Sequence, residues 1–518
     1  MSTNSQQDEV VRFLSTPQAF GSATGPVDRV ETHVSFVFLC GMRALKLKRS
    51  VTFPYLDFSS IEKRRLACEA EVTINSRTAP TIYKGVVAVT RGTDGALALG
   101  GDGDPVDWLV DMNRFDEDTL FDRLAQNDGL DRAMMEDLAD AIAEFHLTAS
   151  PVIDAGGRDG LGAIIENNAM CFGGSEDFLN PSDVENLTGH SLQALDSIGD
   201  ILDRRRLAGR VRHCHGDLHL RNICLIDGKP TLFDGIEFNQ EFANIDVLYD
   251  LAFLIMDLDY RGHRRLANIV LNRYLDSTGD GEERAGGLPI LPLLLSMRAA
   301  IRSHVDAAQV SSLSDPEKAK ARAGESAGYL AMALAYLKPG APRLIAVGGL
   351  SGSGKSRLAR ELAPHLGASP GARVVRTDSI RKRISGQPLT ARLGPDGYSA
   401  AMTKRTYAAF MEECETALKS GRVTIADAVF AQPEERACVA ALAEKLSLPF
   451  TGLWLQASPE IMADRVTRRK RNVSDATADV VEKQLGYDLG KIDWTRLDSS
   501  GTRDETLKAG IAATAIPA

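Results

Sequence analysis

Two stretches decide how this chain reads. One is His215-Gly216-Asp217-Leu218-His219-Leu220-Arg221-Asn222, followed closely by Phe233-Asp234-Gly235. The other is Gly349-Leu350-Ser351-Gly352-Ser353-Gly354-Lys355-Ser356. The first gathers two carboxylates, Asp217 and Asp234, and the amide of Asn222 into one short segment. These are the groups that take a proton and hold a hard divalent cation. The second fits G-x-x-x-x-G-K-[ST], a loop whose backbone N–H groups wrap phosphate. Both deal with phosphate, and they share no pattern. One polypeptide is therefore expected to hold two nucleotide sites on two folds.

Around the first stretch the spacing assigns roles. Asp217 can accept a hydrogen bond from an attacking hydroxyl and take its proton. Asn222 stands five residues on, at the metal-ligand spacing of kinase catalytic loops, and Asp234 supplies a second metal ligand. Such a site also needs an upstream lysine on the phosphates, held by a helix glutamate. Lys46 in Ala44-Leu45-Lys46 is the reading. Lys48 shares its strand face and stays open. Glu71 is the expected helix partner, with Glu69 as the alternative. No G-x-G-x-x-G loop precedes Lys46, so the hairpin around residues 32–36 has to cover the phosphates differently. His215 reads as a structural support, and His219 is open. Asp250 either braces the loop or is a surface helix carboxylate.

This constellation resembles the aminoglycoside phosphotransferase family, within the kinase-like superfamily that includes choline and other small-molecule kinases. His215–Asn222 and Phe233-Asp234-Gly235 carry the resemblance, which spans roughly residues 25–335. It implies a two-lobed kinase-like fold, ATP, Mg²⁺ and a small hydroxylated acceptor. The local pattern agrees. Runs at 34–39 and 44–47 form a hairpin turned at Gly41. Segment 60–76 is helical, 108–112 is a strand, and 131–147 is a helix with Met134, Leu138, Ile142 and Phe145 on one face. Short strands with a turn at 227–229 follow, then helices through 336.

The second stretch follows the apolar run Leu344-Ile345-Ala346-Val347 and opens a helix, the context its motif requires. Gly349, Gly352 and Gly354 let the backbone of Ser351 and Ser353 approach phosphate. Lys355 reaches the β- and γ-phosphates, and Ser356 binds Mg²⁺. Strands and helices then alternate: 374–376, 403–418, 422–426, 433–445, 452–456 and 459–468. That alternation favours a parallel sheet covered by helices. Asp378 and Asp427 each close an apolar strand, where ligands of such sheets bind; a plain strand-end turn is the bland alternative.

Residues 343–510 resemble the P-loop kinases close to polynucleotide kinase and zeta toxin, on the phosphate loop, on Asp378-x-x-Arg381 and on the basic run Arg465–Arg471. The resemblance makes Asp378 the general base, Arg381 a substrate anion contact and Asp427 a metal or water contact. It makes Arg465 and Arg469 lid arginines on the transferring phosphoryl group, Arg465 as an ATP contact and Arg469 as catalytic. A solvated basic helix end is the alternative for that run. Ser474-Asp475-Ala476 reads as a turn or cap after the lid.

The remaining features bound the answer. The chain has 518 residues, above the ~250–300 at which single cores stop growing. A net charge of −10 argues against extended nucleic-acid contact, although a nucleotide or short oligonucleotide acceptor remains open. Seven scattered cysteines without a C-x-x-C pair fit reduced thiols. No signal-peptide stretch opens the chain, and the apolar segments 248–258 and 288–297 are interrupted by aspartates and prolines. A cytoplasmic, non-membrane protein is expected.

The division reads as a flexible 1–24, a kinase-like domain at 25–337, the linker Lys338-Pro339-Gly340-Ala341-Pro342, and a P-loop domain at 343–518. The fold class is α/β with α+β: a two-lobed kinase-like domain, then a mostly parallel sheet flanked by helices. The function expected is a bifunctional ATP-dependent kinase acting on small hydroxylated acceptors. The alternatives are a P-loop kinase governed by a ligand-sensing kinase-like half, or a nucleotide or nucleic-acid end kinase. Oligomeric state is not readable from these patterns.

Overall fold

The computed structural model describes residues 3–21, 25–53, 56–282, 286–311, 313–468 and 473–515. The chain divides into two compact units. One comprises residues 1–156 and 206–251, the other 157–205 and 252–518.

The first unit is built on a six-stranded antiparallel sheet of order β1-β2-β3-β8-β6-β7. Its strands are β1 (Asp28–Glu31), β2 (Ser35–Cys40), β3 (Arg43–Lys48), β6 (Tyr83–Arg91), β7 (Leu97–Leu99) and β8 (Asp104–Asn113). A small hairpin of β4 (Thr52–Phe53) and β5 (Leu56–Asp57) follows β3. Gly41 turns β2 into β3 at φ +55°, which costs glycine nothing.

One sheet face is closed by helix α1 (Thr3–Leu14), whose Val10 and Leu14 are buried with Phe38, Leu45 and Leu109. Residues 3–14, expected within a flexible lead, are thus ordered by an apolar i, i+4 pair. Gln7 adds a polar hook. Its amide donates to Lys48 O at 3.0 Å and accepts from Ser50 N–H at 2.7 Å. The other face receives α2 (Ile61–Asn75), started by Ser60, whose hydroxyl accepts from Lys63 N–H.

After α3 (Phe121–Gln126) comes α4 (Arg132–Thr148), capped by Asp131. Met135 rather than Met134 joins Leu138, Ile142 and Phe145 in its buried face, which completes an i, i+3, i+7 stripe. The chain returns with β9 (Val211–His213), β10 (Ile223–Ile226), β11 (Lys229–Leu232), α7 (Gln240–Ala243) and β12 (Asn244–Asp246). β10 and β11 form a hairpin whose Asp227-Gly228 turn has positive φ at both residues.

The second unit holds α5 (Gly157–Cys171) and α6 (Pro181–Leu207). The chain re-enters it within α8 (Val247–Tyr260) and continues through α9 (Arg264–Thr278), α10 (Gly287–Val310) and α11 (Pro316–Tyr336). A five-stranded parallel sheet of order β14-β15-β13-β16-β17 follows. Its strands are β13 (Leu344–Gly348), β14 (Arg373–Arg376), β15 (Thr424–Asp427), β16 (Phe450–Gln456) and β17 (Thr495–Asp498).

Flanking this sheet are α12 (Lys355–Leu362), α13 (Thr377–Ile384), α14 (Ala400–Lys419), α15 (Pro433–Lys445), α16 (Pro459–Thr467), α17 (Ala478–Leu485) and α18 (Arg503–Thr514). Two apolar cores sandwich the sheet. Leu344, Phe410, Phe430 and Trp454 lie on one face, and Ile345, Val347, Leu362 and Leu453 on the other. Burial on both faces explains the unbroken apolar runs read in these strands. All seven cysteines are free, and no helix among the described residues is long and apolar enough to cross a membrane.

Candidate active sites

In the first unit, β3 delivers Lys46 and α2 delivers Glu71 to one point. Lys46 Nζ donates to Glu71 Oε1 at 2.9 Å and to Asp234 Oδ1 at 2.6 Å. Burial opposes the lysine charge, but Asp234 and Glu71 outweigh it and raise the ammonium pKa well above its ordinary value. Lys48 lies deeper, 1 % exposed, and donates to the other oxygen of Glu71 and to Glu237. Glu69 is exposed and pairs with Arg65 at 2.5 Å, so it stands outside the cluster.

Burial alone would raise the Glu71 carboxyl. Two ammoniums facing it, Lys46 and Lys48, hold it below the ordinary range instead. Glu237 has Lys48 as its closest cation, and there burial prevails and the carboxyl is raised. The two lysines thus divide the labour. Lys46 faces Asp234, and Lys48 holds the glutamates.

A measurable split follows. Lys46→Met should cut first-site transfer by ~10²-fold or more with a melting temperature near wild type. Lys48→Met should instead unfold the first unit more readily, by ~3–5 kcal/mol, because it strands the buried carboxyl of Glu237 and removes one of the two ammoniums on Glu71. Thermal melts beside transfer assays check both.

Asp234 sits at φ +61°, a left-handed conformation that aspartate tolerates better than most residues and that marks functional turns. Its N–H donates to Tyr83 Oη at 3.1 Å, and Gly235 N–H donates to Asn75 Oδ1 at 2.7 Å. The strand β6 and the helix carrying Glu71 therefore pin this turn.

Asp217 accepts from Asn222 Nδ2 at 2.9 Å and lies 3.3 Å from His219 Nε2. Asn222 spends its N–H₂ on Asp217, both side chain and backbone, so its amide oxygen is the atom that could hold a cation. Asp250 is buried and accepts from His215 N–H at 3.1 Å and Gly216 N–H at 2.8 Å, with His146 Nε2 3.0 Å away. It braces the loop. His146, Cys214 and Asp250 come close enough to suggest a metal cluster, but both Asp250 oxygens are already spent on the backbone. His215 Nε2 meets Phe233 O at 2.9 Å, and burial lowers its pKa, as suits a neutral support. Gly216 is at φ +82°, and a Cβ there would meet Phe242 O at 2.9 Å.

In the second unit the phosphate loop runs from β13 into α12. Gly349, Gly352 and Gly354 all have positive φ. Lys355 is buried, while Ser356 is half-buried. Arg465 on α16 reaches back toward Gly354. Its Nη2 donates to Ser499 O at 2.6 Å, and Ser499 Oγ donates to Ser353 O at 2.6 Å. Gln484 on α17 accepts from Ser351 N–H at 2.7 Å.

A Cβ on Gly352 would lie 2.4 Å from Met462 O on α16, and its φ of +87° is strained for other residues. Gly352→Ala should therefore destabilise the fold by ~1–3 kcal/mol. It should also weaken ATP binding at this loop, read by melting and titration beside the wild type and Lys355→Ala.

Parallel register sets Arg376, Asp427 and Val347 level at the carboxyl end of the sheet, beside the loop. Arg376 Nε donates to Asp427 Oδ2 at 3.1 Å, while Asp427 Oδ1 is buried without a hydrogen-bond partner among the described residues. Asp378 is half-buried in the first turn of α13. Arg381 donates to Gly397 O at 2.9 Å and Thr403 Oγ1 at 3.3 Å, and stacks over Tyr398. Asp475 clasps segment 382–398 by accepting from Lys382 Nζ at 3.0 Å, Leu393 N–H at 3.0 Å and Tyr398 Oη at 2.8 Å. Arg469 lies outside the described residues.

Both sites offer hard oxygen donors that suit Mg²⁺: the Asn222 amide oxygen with Asp234 in one, and Ser356 with the orphaned Asp427 oxygen in the other. Sequence reading did not single out Glu237, Tyr83, Asn75, Arg376, Gln484 or Ser499. Glu237 stood closest to view, three residues past Asp234.

Comparison with known proteins adds three findings. A model described as a phosphotransferase enzyme family matches residues 85–288, and one described as an AAA domain matches 344–487. Over 502 residues the chain is 30 % identical to the uncharacterized protein Rv2004c of Mycobacterium tuberculosis, covering 93 % of this chain and 94 % of that one. Two solved structures overlap in part. A choline/ethanolamine kinase family protein from Mesorhizobium loti has 13 % identity and a TM-score of 0.38, over 64 % of this chain and 99 % of that one. A gluconokinase from Sinorhizobium meliloti 1021 has 19 % identity and a TM-score of 0.24, over 33 % and 91 %.

Proposed function

Since the chain belongs to the family of the mycobacterial protein Rv2004c, and is a phosphotransferase with two kinase-type domains, we propose that each domain moves the γ-phosphate of ATP to a hydroxyl of a small acceptor. The observation that carries this reading is the assembly of Lys46, Glu71 and Asp234 by ion pairs across 188 residues of sequence. A binding fold without chemistry has no use for that convergence beside Asp217 and Asn222. For the same reason a pure sensor role for the first domain is the weaker reading. The functional division we propose is 25–337 and 343–518, joined by 338–342, in a cytoplasmic protein.

In the first site, Lys46 turns its ammonium, held by Glu71, toward the phosphates. Asp217, oriented by Asn222 Nδ2, takes the proton from the acceptor hydroxyl as its oxygen attacks the γ-phosphorus and the bond to the ADP oxygen breaks. In the second site, the loop amides and Lys355 cradle the phosphates, Arg465 lies beside Gly354 to offset charge, and Asp378 takes the acceptor proton. Arg381 shapes the acceptor side through the 397–403 segment, and Arg469 is assigned to the transferring phosphoryl group. Mg²⁺, held by Asn222 and Asp234 in one site and by Ser356 and Asp427 in the other, would neutralise charge on the phosphate oxygens.

The test supplies γ-labelled ATP, Mg²⁺ and a small-metabolite extract to the full chain and resolves the labelled products. Two labelled products support the proposal. No product above a blank without protein would sink it. Labelled oligonucleotide ends, from added RNA or DNA, would favour an end kinase for the second site.

A further inference from the structure

β14 forms one edge of the parallel sheet, and it delivers Asp378 to the second site. An edge strand leaves a row of N–H and C=O groups without a strand partner. Here side chains of α9 take that place. Asn272 Oδ1 accepts from Val374 N–H at 2.8 Å. Asn268 Nδ2 and Asn272 Nδ2 donate to Ala372 O at 3.1 and 3.2 Å. One turn earlier, Arg264 Nη2 donates to Gly367 O at 2.7 Å.

Charge reinforces the junction. Arg373, 1 % exposed, donates to Asp276 Oδ1 at 2.6 Å, to Asn272 Oδ1 at 3.1 Å and to Glu413 Oε1 at 2.5 Å. Arg383, in the last turn of α13, donates to Glu413 Oε2 at 2.7 Å and to Glu282 Oε1 at 2.9 Å. The strand before Asp378 and the helix that carries it are thus both tied to one acidic cluster. Yet α9 lies inside the phosphotransferase-family match, far before the linker.

We propose that α9 is a working part of the P-loop site: it stands in for the missing neighbour of β14, and Asn272 is a positioning residue that sets the β14–α13 junction carrying Asp378. This rests on the reading of Asp378 as the acceptor-side base. Loss of the Asn272 side chain leaves a backbone N–H and a buried guanidinium short of acceptors. The junction then loosens, and small misplacements of a catalytic group are expensive in rate.

The test uses the full chain with Asn272→Ala. Asn272→Asp keeps an acceptor oxygen for Val374 N–H and Arg373. Three quantities are read: hydrogen–deuterium exchange over 372–384, affinity for a fluorescent ATP analogue relative to Lys355→Ala, and the Lys355-dependent product from γ-labelled ATP in a metabolite extract. Asn272→Ala should exchange about tenfold faster over 372–384. Its ATP-analogue affinity should hold within about twofold while product falls about tenfold or more. Asn272→Asp should recover both exchange and product, which loss of generic folding would not allow.

Unchanged exchange over 372–384 overturns the proposal. Faster exchange with undiminished product overturns the positioning role. If the wild type makes no Lys355-dependent product, the kinase reading of this site falls and the positioning role with it, and exchange still decides whether α9 holds β14. Should Asn272→Ala not fold, Asn268→Ala removes one of the two donors to Ala372 O and is read in the same assays.

Discussion

Lys355→Ala is expected to abolish transfer at the P-loop site, by ~10³-fold, and to leave the Asp217-dependent product unchanged. The lysine follows Gly354 directly, at the first turn of α12, and is 9 % exposed. Its ammonium is the one full positive charge that the loop sequence itself brings to the phosphates; the rest of the cradle is backbone N–H. An alanine keeps helix propensity, so α12 should persist. The loss should appear in both ATP binding and turnover at that site, read by analogue titration and labelled product. Product from the P-loop site that persists in Lys355→Ala would mean that the charge is supplied elsewhere, with Arg465 the nearest named cation beside Gly354.

Asp217→Ala should do the converse. The product made by the first site should fall by ~10²–10⁴-fold, the range for removing a positioned general base. ATP affinity should change little, because Lys46, Glu71 and Asp234 remain paired with one another. The fold should also survive, since the loop backbone hangs from Asp250 rather than from Asp217. A chain that lost both products on either substitution, while melting normally, would show that the sites are coupled. The α9 contacts with β14 are the first place such coupling would be sought.

The two phosphate motifs were legible because their function is local. In His215–Asn222 and Gly349–Ser356, neighbours in sequence are neighbours in space, and the glycines announce backbone geometry that other residues resist. Strand and helix alternation after residue 343 was legible too, since apolar runs of strand length and helix-length segments follow one another there. Lys46 and Lys48 were not separable, because both point to one strand face. Only packing shows that Lys48 is the deeper one, sealed against Glu71 and Glu237. One position of the α4 face was missed for the same reason: Met134 and Met135 are equally apolar, and depth alone distinguishes them.

Long-range partners outside the Lys46, Glu71 and Asp234 set stayed hidden from the sequence. Gln484 meets Ser351 across 133 residues, Asp475 meets Lys382 across 93, and Asn272 meets Val374 across 102. Each is a polar side chain that would read as surface, and each satisfies a group that folding removes from water. By itself the sequence determined which residues could perform phosphate chemistry, since that depends on side-chain type and short spacing. Tertiary structure alone decided which of them converge and what holds them, because an edge strand or a buried charge finds its partner only once distant segments pack together.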